Sequence, residues 1–83
     1  MNKKQITNKA ILTVIDELAA KGEDGKAHTK DIVLKLGELF PDVHMMNELM
    51  MMGEMTRAGL VKYSPTDMAW WLTADGRKVL KNG

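Results

Sequence analysis

Few side chains in this sequence could do chemistry. His28 and His44 are the only imidazoles, and there is no cysteine. A metal site needs three or four ligands at close spacing. Asp42 and His44 sit two residues apart, but no third ligand stands at a characteristic distance from them, so no metal is expected. No Ser–His–Asp or Cys–His order suggests a nucleophile and its base. Asp16-Glu17 and Glu23-Asp24 read as solvated charge on a helix surface and in a turn. Gly22 and Gly25 frame a segment too short and too acidic to cradle phosphate. Catalytic residues, a cofactor and a small-molecule substrate are therefore not expected. What remains is contact chemistry. Asn47 and His44 can donate and accept hydrogen bonds, Thr29, Lys30, Arg57 and Lys62 can meet an anion, and Met46, Met50 and Trp71 can bury apolar area.

Eighty-three residues support one domain with a modest core, so 1–83 reads as a single domain with 1–6 as a flexible tail. At this size self-association is a common supplement to stability. The net charge of +1 is weak for a chain devoted to phosphate. No apolar run approaches the roughly 18–20 residues of a membrane span. Polar Gln5, Thr7 and Asn8 follow Lys3 and Lys4 where a signal-peptide core would lie. The expected location is cytoplasmic.

Periodicity supplies the elements that must position these side chains. Ile11, Val14, Ile15 and Leu18 form one helical stripe, predicting a helix over 8–21 capped by Thr7 or Asn8 and ended by a left-handed Gly22. Residues 26–28 read as a short extended piece. Thr29 is the expected N-cap of a second helix with Ile32, Val33, Leu36 and Leu39 inward, stopped ahead of Pro41. Asp42 is the expected cap of a third helix over 43–58, with Met45, Leu49, Met52 and Met55 on the core side. Gly59 ends it. Leu60, Val61 and Tyr63 read as a strand, Ser64-Pro65-Thr66-Asp67 as a turn, and 68–72 as the return strand. Alternation puts Trp70 and Leu72 on one face and Trp71 on the other. Thr73 caps a last helix over 74–81. The fold class is mainly α with a small antiparallel β-hairpin or sheet, in the order α-(β)-α-α-β-β-α.

Across roughly 29–80 the chain resembles the winged helix-turn-helix superfamily, in the manner of its small MarR/PadR-like domains. The resemblance rests on Thr29-Lys30-Asp31-Ile32, on Met52 and Met55 ahead of Arg57-Ala58-Gly59-Leu60-Val61, and on Trp70-Trp71-Leu72-Thr73-Ala74-Asp75-Gly76-Arg77. It implies duplex DNA binding in transcriptional control, with the third helix in the major groove and the hairpin on the backbone or in the minor groove. His44 and Asn47 would then contact bases, Asn being suited to adenine. Thr29, Lys30 and Lys62 would contact phosphates. Arg57 would join them or pair with Glu54 one turn before it. Lys3, Lys4 and Lys9 form a basic arm that either follows a backbone or solubilises the chain.

A second reading competes with it. Val43, Met46, Asn47, Met50, Glu54 and Arg57 make up the outer face of the third helix, which offers one good base reader and two methionines. The turn at 64–67 carries no cation. Methionine is flexible and polarisable and recurs on adaptable protein-binding surfaces. Met46, Met50 and Trp71 therefore suit a protein partner or a homodimer contact, as in a phage or mobile-element binding module. If the first helix covers Met46 and Met50, they are core instead, and Trp71 could simply lie over a lysine stem or another helix.

Overall fold

The computed structural model describes residues 6–82. It is mainly helical, with four helices and one three-stranded antiparallel sheet. The order is α1 (Asn8–Lys21), β1 (Ala27–His28), α2 (Thr29–Leu39), α3 (Met45–Arg57), β2 (Val61–Ser64), β3 (Ala69–Leu72) and α4 (Ala74–Asn82). Lys3 and Lys4 of the expected arm lie outside the described residues. Ile6, expected in the tail, packs against the core.

α1 begins as its sequence predicts. The Ala10 amide donates to the Thr7 hydroxyl at 3.1 Å, which satisfies one of the free donors of the first turn. Ile11, Leu12, Val14 and Ile15 are buried, so the inward stripe is one residue wider than periodicity suggested. Gly22 ends the helix in an extended conformation (φ −73°), not the expected left-handed one, and its amide still reaches Leu18 and Ala19.

In α2 two expectations fail. Phe40, not Leu39, turns inward; Leu39 is exposed. Thr29 is the first helical residue rather than the cap, and His28 precedes it with no side-chain cap bond. The Thr29 hydroxyl instead donates to the Met68 carbonyl at 2.8 Å and accepts from the Trp70 indole N–H at 2.8 Å. Its amide donates to the same Met68 carbonyl at 2.9 Å. These bonds hold Met68 in a left-handed conformation (φ 49°) that costs a non-glycine residue roughly 1 kcal/mol. Met68 thus belongs to the turn, and the return strand starts at Ala69. Replacing Thr29 by Val leaves the half-buried Trp70 N–H without its partner. We predict a loss of about 1–3 kcal/mol, read as a lower urea midpoint.

The sheet order is β1-β3-β2. Pairing of Val61 with Leu72 and Tyr63 with Trp70 places these four on one face, and Trp70 is buried there beside Tyr63 (ring centroids 4.4 Å apart). Trp71 pairs with Lys62 on the other face, as alternation predicted. The core gathers α1, α2, α3 and the inner sheet face around Ile11, Ile15, Ile32, Leu36, Met52 and Val61.

The Leu72-Thr73-Ala74-Asp75-Gly76 run explains how α4 is fastened. The Thr73 hydroxyl accepts from the Gly76 amide at 3.1 Å, the cap expected of it, and donates to the Gly59 carbonyl at 2.6 Å. Its amide donates to the Leu60 carbonyl at 3.0 Å. Gly59 turns the chain out of α3 at φ 79°, a conformation suited to glycine. One threonine and two glycines therefore tie the start of α4 to the corner between α3 and β2.

Candidate contact surface on the third helix

α3 is two residues shorter at its start than expected. The Val43 amide donates to the Phe40 carbonyl at 3.0 Å, so residues 40–43 form a turn and the helix opens at Met45. The cap is His44, not Asp42. The Met46 amide donates to His44 Nδ1 at 3.1 Å. That nitrogen is occupied as an acceptor, which leaves only the Nε2 edge of the ring for a partner.

The helix is also rotated from the expected phase. Its buried residues are Glu48, Met52 and Met55. Met45 is 49% exposed and is not the core residue expected, whereas Leu49 is partly buried and packs against the core. Met46 and Met50 nevertheless stay on the outer face expected of them, at 55% and 59% exposure. α1 does not cover them. Asn47, Glu54 and Arg57 are exposed on the same side, while Gly53 is half-buried. No ion pair joins Arg57 to Glu54 among the described residues.

Glu48 is the residue that reading the sequence missed. It is 1% exposed, and its Oε2 atom has no hydrogen-bond partner among the described residues. Burial pushes its carboxyl above the ordinary range, with nearby His44 opposing part of that rise. The signal was its spacing of four and seven residues from Met52 and Met55, which puts all three on one face. Residue type pointed the other way, since an unpaired glutamate is rarely buried.

The remaining predicted contact residues are scattered. Lys30 and Lys62 are exposed on α2 and β2, without ion pairs among the described residues. Thr29 has its hydroxyl proton committed to Met68, so it can offer a phosphate no O–H donor there without breaking that bond. Trp71 is half-buried with Lys26 Nζ lying 5.4 Å from its ring centroid. The same Lys26 reaches Asp67 at 2.8 Å, and Asp67 accepts from Ser64 at 3.2 Å. These two partners hold the Asp67 carboxyl below its usual range, the lysine hydrogen bond being the larger cause. The turn between β2 and β3 is thus braced by Ser64 and by Lys26 from ahead of β1, and its acid is already matched.

Among the described residues no cluster of three potential metal ligands occurs, and no helix is long and apolar enough to cross a membrane. Comparison with family models, curated proteins and solved structures gave no match.

Proposed function

We propose that the chain is a small non-enzymatic binding module of winged helix-turn-helix type, and that its third helix docks on another protein through Met46 and Met50. The element order and the small antiparallel sheet are compatible with that architecture. The observation that carries the reading is the outward exposure of both methionines, one helical turn apart, on a chain of net charge +1. Burying a methionine contributes about 1.5–3 kcal/mol, and flexible thioethers adapt to the surface they meet. Trp71, engaged with Lys26 on the sheet, is secondary in this reading.

Duplex DNA binding is the second reading, and Asn47 favours it. Asn47 is exposed at the third position of α3, with Lys30, Arg57 and Lys62, which make no ion pair among the described residues, on the surface for phosphates. The two readings part in one titration. DNA binding predicts tight association with a random duplex at low salt, a steep fall in affinity as salt rises, and a flatter slope for Lys30→Ala. The protein reading predicts weak or no duplex binding and no change with Lys30→Ala. Tight, salt-steep binding would overturn it in favour of DNA.

A further inference from the structure

The outer face of α3 holds more order than two exposed methionines. Met46, Met50, Gly53 and Arg57 follow one another at intervals of four, three and four residues. That is the 3.5-residue repeat by which one helix lays a straight seam against another. The seam lies away from the buried Glu48, Met52 and Met55. It also has relief. Met46 and Met50 project, and at Gly53 the position of a side chain is open, with no atom within 4 Å of it. A projecting thioether and an open site of the same seam, three residues apart, are complementary to each other.

The ends of the seam carry opposite charge. Asp42 is exposed in the turn leading into α3, and Arg57 is exposed at its last residue without an ion pair among the described residues. A parallel copy would set Asp42 on Asp42 and Arg57 on Arg57. An antiparallel copy sets each against its opposite and opposes the two helix dipoles.

Resting on the protein-contact reading, we infer that the partner of this face is a second copy of the chain, joined by antiparallel pairing of the two α3 helices. Met50 of each copy fills the space over Gly53 of the other. Met46 lies along the Arg57 stem of the other copy, whose guanidinium reaches toward Asp42. The pairing is two-fold symmetric, so each contact occurs twice and the surface closes on itself. One seam along a helix of 13 residues buries less than the roughly 800 Å² per partner of a standard interface, so the dimer is weak and dissociates on dilution.

Sedimentation of the full chain from about 10 µM to about 1 mM, the range suited to so small an interface, tests this. The weight-average mass should climb from the 9.3 kDa monomer toward twice that value. Met50→Asp should hold the mass at the monomer with an unchanged circular dichroism spectrum. Arg57→Asp and Asp42→Arg should each weaken association, and the two together should restore it. A monomer at every concentration overturns the inference. So does association that ignores Met50→Asp, or single charge changes that the double change fails to rescue. A monomer would still leave the protein-contact reading standing, to be decided by whether a photoreactive side chain at position 50 captures a different polypeptide. Capture of nothing would remove both.

Discussion

Replacing Glu48 by methionine is expected to stabilise the domain by about 1–3 kcal/mol, the usual cost of a buried polar atom left without a partner. For a chain of this length that is a rise in Tm of roughly 4–8 °C per kcal/mol. The gain should depend on pH. In the unfolded chain this carboxyl titrates near 4.5, and burial raises it in the fold. Below the unfolded value both states are protonated and ionisation costs nothing. As pH rises through the raised folded value the penalty grows and then levels off. Acidification from neutrality toward about 4.5 should therefore narrow the gap between Glu48→Met and the natural chain. Asp67 acts in the opposite sense, because its lowered carboxyl contributes stability that is lost only as pH falls through its folded value, below the ordinary 3.8. The two effects occupy different pH windows, so urea titrations at several pH values separate them. A gap that stays constant, or widens on acidification, would show that Glu48 is not a buried unpartnered acid.

Gly76→Ala should destabilise by about 1–3 kcal/mol, although glycine inside a helix ordinarily costs about 0.5–1 kcal/mol relative to alanine. The sign reverses because a Cβ at position 76 would run into the Leu60 carbonyl. That carbonyl is fixed backbone and already accepts the Thr73 amide. Gly37 in α2 is the control. It has open space around it and no positive φ, so Gly37→Ala should give the ordinary gain. Thermal melts of the two variants should move in opposite directions. A Gly76→Ala variant as stable as the natural chain would remove the close approach of α4 to the corner between α3 and β2.

Much of the fold could be read from the sequence, because several signals agreed at each place. Thr7 ahead of an apolar stripe marked the start of α1. Strict alternation separated Trp70 from Trp71. Thr73 and Gly76 marked the start of α4, and the structure supplies the reason, namely that both residues fasten onto Gly59 and Leu60. The failures came where residue type and geometry disagreed. In a helix with methionine at positions 45, 46, 50, 51, 52 and 55, apolar character says little about which side is inside. Reading Met45 as core followed the chemistry, whereas the fold buries Glu48 with Met52 and Met55 and leaves Leu49 packed at the edge of the core. Asp42 was the better cap by type, but the turn closed by Val43 and Phe40 delays the helix until His44 can serve. The Thr29 hydroxyl is drawn from capping by a turn residue, Met68, distant in sequence. No local pattern shows that bond. The outward exposure of Met46 and Met50 was legible as one of two alternatives, and α1, packed on the other side of α3, leaves both exposed.

Whether the outer face of α3 meets a polypeptide can be read from a photoreactive side chain placed at position 50 in the full chain and irradiated in cells. A covalent adduct to protein is expected, lost when Met46→Asp is added and absent when the probe sits at exposed position 16 of α1. An adduct to nucleic acid would contradict it, as would equal protein labelling from positions 50 and 16.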